Sequence, residues 1–208
     1  MLAGPDVSPS TLLAPSQYLD VLSSLKLSSA MRHCPMRQND QFSGIFYMLG
    51  MMSGRTYWLN PLSVRGSNTL LSMNTSQLAT TNIFNIASYG NYTYDTDIRA
   101  KAGLTSVEFT FILHNNYTIL ATDILLRNGR ANGNAFTEWM VEGSSDGVNF
   151  DVLYVGKESS PWIFWHTIHN VSLANSGVVK FCSHFRFWFN AAAVSLSGIE
   201  LYGFLNKQ

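Results

Sequence analysis

Apolar side chains at every second position constrain this chain more than any other feature of it. Val107, Phe109, Phe111 and Leu113 fall on one side of an extended segment, with Glu108, Thr110 and Ile112 on the other. Trp139 and Val141 face one way while Glu138, Met140 and Glu142 face the other, and Ser144-Ser145-Asp146-Gly147 supplies a tight turn into Phe150–Val155. Near the end, Phe185, Phe187 and Phe189 alternate with His184, Arg186 and Trp188, before Ile199–Phe204 closes the pattern. Period two with an aromatic face describes strands half buried in a sheet.

After Gln41 the runs are short and separated by Gly, Asn, Asp and Ser clusters, and none carries helical periodicity. No helix is therefore expected there. Many short strands without intervening helices predict an all-β, jelly-roll β-sandwich rather than a parallel α/β sheet. No propeller-type repeat is present.

Residues 1–40 read differently, as an N-terminal extension punctuated by Pro5, Pro9, Pro15, Pro35 and many serines. Within it Ser16 can cap a short helix whose apolar positions Tyr18, Val21, Leu22 and Leu25 share one face. That helix is expected to dock on its own domain or on a partner, its own domain being favoured, because so short a helix is marginal alone. Residues 41–208 are then the sandwich domain.

Composition removes several functions. Lys plus Arg and Asp plus Glu both number 13, so the formal net charge is zero and no basic run exists to release counterions from a phosphate backbone. Nucleic acid is not an expected partner. Charged residues are only 12% of the chain, about half the usual share of roughly 25%, so neighbouring subunits or a neutral ligand are expected to cover part of the surface. The apolar run from Phe42 to Met52 is broken by Ser43, Gly44 and Gly50 and falls short of the roughly 20 residues of a bilayer span. The N-terminus lacks a basic start and an apolar stretch, which predicts an intracellular, cytoplasmic protein. Cys34 and Cys182 permit one disulfide at most, and reduced thiols are the default.

Particular blocks resemble a known family. Arg127-Asn128-Gly129 followed by Phe136–Gly147, with its Glu-Gly-Ser-Ser-Asp-Gly turn, resembles the central strand-turn-strand of discoidin, or coagulation-factor type C, domains. Leu196–Gly203 resembles their last strand. Phe46–Gly50 followed by Trp58-Leu59-Asn60-Pro61 is similar to the opening of the intracellular branch found beside BTB and HECT-ligase modules and in protists. The resemblance spans about Phe42 to Leu205 and implies a galactose-binding-domain-like sandwich that recognises ligands through loops at one end and has no catalytic machinery. Extracellular members often join the domain ends by a disulfide, a pattern that Cys34 and Cys182 do not match.

No reactive constellation emerges. His166 and His169, three apart in an extended segment, lie on opposite faces and make a poor metal pair. Asp95 and Asp97 would present both carboxylates on one side, which Ca²⁺ could use, although solvated loop carboxylates are the plainer reading. The glycine-rich stretch 128–134 leads into a strand, so it lacks the helix N-terminus of a phosphate cradle. No G-x-S-x-G elbow occurs. Neither a cofactor nor a bound metal is expected.

Candidate ligand-binding residues are therefore the aromatic and guanidinium side chains of the loops: Arg55, Tyr57, Tyr92, Tyr94, Arg127, Arg130 and Trp162. Trp58 and Trp139 are expected in the core. The leading expectation is a non-catalytic module for protein–protein interaction or assembly within a larger intracellular complex. The alternative is a carbohydrate-binding module that takes glycans at the loop end.

Overall fold

The computed structural model describes residues 31–36, 42–54, 56–79, 83–87, 96–129, 136–157, 167–173, 176 and 178–208. The helix expected around Tyr18–Leu25 lies outside them.

Alternation becomes two antiparallel sheets. In chain order the elements are β1 (Arg32–Cys34), α1 (Ile45–Gly54), β2 (Leu71–Asn74), β3 (Thr96–Arg99), β4 (Val107–Leu113), β5 (Tyr117–Asn128), β6 (Glu138–Ser144), β7 (Asp151–Lys157), β8 (Ile168–Ser172), β9 (His184–Phe189) and β10 (Ala193–Lys207). One sheet runs β1-β10-β5-β8, with β3 also paired to β10; the other runs β2-β4-β9-β6-β7. The expected jelly-roll β-sandwich is the fold.

The aromatic rows meet between the sheets. Phe109, Phe111, Phe185, Phe187, Phe189 and Trp139 are buried, as are Ile124, Leu126, Ile199 and Leu201 of the facing sheet. Phe109 stacks on Phe187 at 5.6 Å, and Phe136 meets Phe189 edge-on at 4.7 Å. Such packing fills the interior with side chains.

The hairpin read from Trp139 to Val155 is present as β6 and β7, with a register shift after Val141. Its turn is held by Asp146, whose Oδ1 accepts from the amides of Val148 and Asn149 at 2.9 and 2.8 Å. Those bonds hold the Asp146 carboxyl below the usual carboxylate range. Gly147 takes a φ of +75° with the His184 ring against it, a place for glycine alone.

Two findings depart from the sequence reading. First, residues 45–54 are helical, where no helix was expected. The segment is apolar nearly all round, so it shows no amphipathic period. What starts it is remote: Glu200 on β10 accepts from the Phe46 amide at 2.7 Å and the Tyr47 amide at 3.1 Å, replacing a local N-cap side chain. Gly44 permits this, because a Cβ there would lie within 3 Å of the Glu200 side chain and the Leu201 carbonyl. Second, Arg32–Cys34, inside the stretch read as an extension, pairs with Gly203–Leu205 and so belongs to the first sheet.

Candidate functional site

Element order decides which loops share an end. Of the crossings between the two sheets, those from β3 to β4, β5 to β6, β7 to β8 and β9 to β10 join strand ends at one end of the sandwich, its crossing end, while those from β4 to β5 and β8 to β9 join them at the other. Register fixes this: Arg99 lies beside Ala193, Arg127 beside Ile168, Glu138 beside Lys157, and Val107 beside Phe189.

The frame beneath these crossings is closely bonded. The Asn128 amide donates to the Thr167 carbonyl at 2.9 Å, and the Gly129 amide to the Ser195 carbonyl at 2.9 Å. Asn190 ties two crossings together, its Oδ1 accepting from the Thr137 and Glu138 amides at 3.2 and 3.0 Å. A side chain carried on such a frame is displayed from a fixed base.

The expected ligand-binding residues divide into three groups. Arg55, Tyr92, Tyr94, Arg130 and Trp162 lie outside the described residues, as do Asp95 and His166. The described residues nearest to Arg130 and Trp162 in sequence are Gly129, Phe136, Lys157 and Thr167, beside strand ends at the crossing end. Tyr57 is 63% exposed in the turn after α1.

Arg127 corrects the sequence reading. It was expected in a loop, but β5 runs on through Asn128 and carries Arg127 into full burial. Its Nε donates to Ser197 Oγ at 3.0 Å and its Nη2 to the Ser197 carbonyl at 2.8 Å, while the guanidinium lies 4.2 Å over the Phe42 ring. A register shift between Leu196 and Gly198 allows that grip on Ser197. Arg127 thus locks β5 to β10 and is removed from any ligand surface.

Of the other residues singled out, Trp139 is core, whereas Trp58 is half-buried against Gly50. Asp97 is exposed on β3 and His169 half-buried on β8. Cys34 and Cys182 are free and buried, and burial pushes their thiols up to about 12 and about 11, which leaves them poor nucleophiles.

A concavity of about 280 Å³ lies away from the crossings, between β1 and α1, against His33, Cys34, Ser43, Tyr47, Met48 and Met51. Its volume is at the lower bound for a small-molecule site, and the sequence reading missed it because β1 and α1 meet only in the fold.

Among the described residues no group of three or more His, Cys, Asp or Glu side chains could hold a metal ion. Nor is any helix among them long and apolar enough to cross a membrane.

The chain is thus of the class of two-sheet antiparallel sandwiches with a packed interior and four of its crossings at one end. No protein-family model and no curated protein matches the sequence. Among solved structures it is similar to CpGH89CBM32-6 from Clostridium perfringens (16% identity, 64% of this chain and 93% of that one, TM-score 0.45). CpGH89CBM32-5 from the same organism, in complex with GalNAc-β-1,3-galactose, matches at 12% identity over 64% and 94% of the two chains, TM-score 0.47. Allantoicase from Saccharomyces cerevisiae matches at 13% identity over 64% of this chain and 40% of that one, TM-score 0.47. Likeness at this distance carries no inference about ligand.

Proposed function

We propose that this chain is a non-catalytic binding module that takes carbohydrate at the crossing end of the sandwich. The observation that carries the reading is the combination of a filled interior with a bonded frame. Aromatic rows occupy the space between the sheets, so a large ligand has to be met at the surface. In sequence Arg130 falls between Gly129 and Phe136, Trp162 between Lys157 and Thr167, and Tyr92 and Tyr94 just ahead of β3, and the reading takes these four as the binding side chains. Aromatic faces beside hydrogen-bond donors are what sugar rings require, with their apolar faces and hydroxyl rims.

A glycan-array screen of the full chain, followed by titration of the best hit against Trp162→Ala and Arg130→Ala, tests the reading. Loss of binding in both variants at unchanged melting temperature is expected; an array without hits overturns it.

Docking of a protein partner is the second reading, and one observation favours it. Val148, Val152 and Val155 stand 79%, 36% and 54% exposed along the edge strand β7 and its turn. Assembly within a larger complex would cover them. Light scattering of the purified chain distinguishes the readings, since the docking module self-associates or binds a partner through β7.

A further inference from the structure

Cross-strand register places a second set of binding groups on the outer face of the β2-β4-β9-β6-β7 sheet, away from the crossings. Glu108, Trp188, Met140 and Val155 stand side by side across β4, β9, β6 and β7. Thr110, Arg186, Glu142 and Val152 form the adjacent row. We propose that this face is a platform for a neutral oligosaccharide, with Trp188 as the stacking surface and Arg186 as the positioned hydrogen-bond donor.

Trp188 differs from the aromatic residues of the other face. Phe109, Phe111, Phe187 and Phe189 all have ring partners in the core. Trp188 is partly buried, and its side chain makes neither a ring contact nor a hydrogen bond among the described residues.

Arg186 is held in place by groups that leave its ends unused. Its Nε donates to Glu142 Oε2 at 2.6 Å, and its guanidinium lies 4.1 Å over the Phe150 ring. Neither terminal amino group forms a hydrogen bond among the described residues. Ordering a long side chain in advance lowers the entropy lost on binding, so these donors are better placed than those of a free arginine. The side chains of Thr110 and Glu108, which form no hydrogen bond among the described residues, add a hydroxyl and a carboxylate beside them.

Charge and spacing select the ligand. Glu108, Glu138 and Glu142 oppose Arg186 and Lys157, so the face carries one net negative charge and disfavours an anionic sugar. Carboxylates interrupt its apolar row, unlike the charge-depleted centre of a standard protein interface. Residues two apart on a strand are about 7 Å apart, so a ring stacked on Trp188 places its neighbour within reach of Arg186.

The test uses the full chain on an array of neutral hexose and N-acetylhexosamine oligosaccharides, then titrates the best hit against Trp188→Ala, Trp188→Tyr, Arg186→Ala and Trp162→Ala. Trp188→Ala and Arg186→Ala are expected to weaken binding at least tenfold with melting temperatures near the parent's, while Trp188→Tyr, which keeps a ring, retains most of it. Binding lost in Trp162→Ala but kept within twofold in Trp188→Ala removes the platform and leaves the crossing-end reading standing. The reverse pattern does the opposite. An array without hits, or a dimer that Trp188→Ala dissolves, also overturns the platform.

Discussion

Truncating Glu200 to alanine should unfasten α1 from β10. In the parent the carboxyl accepts from Phe46 N at 2.7 Å and Tyr47 N at 3.1 Å, and the residue is only 3% exposed. Removing it leaves three amides, those of Phe46, Tyr47 and Leu201, without this acceptor, at about 1–3 kcal/mol each. The variant no longer buries a carboxyl group, which offsets part of that cost. The net loss is about 3 kcal/mol, a large share of a total of roughly 5–15 kcal/mol. For a chain of this size each kcal/mol moves the melting temperature by about 2–4 °C, so a fall of about 6–12 °C is expected by scanning calorimetry. Glu142→Ala, which removes a partly exposed ion pair with Arg186, serves as the comparison and should cost about 1 kcal/mol or less. The pH dependence has a definite direction. Burial raises the Glu200 carboxyl from 4.5 to about 8, against the opposing pull of the backbone amides. Folding therefore favours the protonated form, and its contribution is complete below the unfolded value and lost as pH rises through the folded one. Parent stability should fall more between about pH 5 and pH 9 than that of Glu200→Gln. A Glu200→Ala variant melting within about 2 °C of the parent, or a parent gaining stability on Glu200→Gln as pH rises, refutes the assignment of this carboxyl as the helix's buried cap.

Three further outcomes follow from the packing. Trp139→Ala opens the core where that side chain is 1% exposed and packs 4.8 Å from Tyr154, and urea unfolding should show a loss of about 3–5 kcal/mol. Gly147→Ala forces a side chain into a positive-φ turn against the His184 ring and should lower stability by about 1 kcal/mol or more by the same assay. Cys34 and Cys182, both buried and raised, should resist a thiol reagent in the native state and react together only as urea unfolds the chain; rapid labelling without denaturant contradicts their burial.

The residues that behaved as read are those whose environment is set by neighbours two positions away. Trp139, Val141 and the alternating phenylalanines lie inward because a strand sends successive side chains to opposite faces. The Glu142–Gly147 turn and the closing strand at Ile199–Gly203 likewise stand where the discoidin resemblance implied. Arg127 did not, since its sequence neighbours Asn128 and Gly129 suggest a loop and only pairing with β10 extends the strand past it. The platform around Trp188 was half legible: alternation set that indole apart from Phe187 and Phe189, yet nothing local announces that Glu108 and Met140 flank it.

Period-two alternation, turn residues and low charge were sufficient to define an all-β sandwich with a packed aromatic interior, because they act over a few residues. The remote cap on α1, the burial of Arg127, the gathering of four crossings at one end and the assembly of the outer platform join residues separated by tens of positions. Contacts of that range depend on strand order and register, which the tertiary structure alone decided.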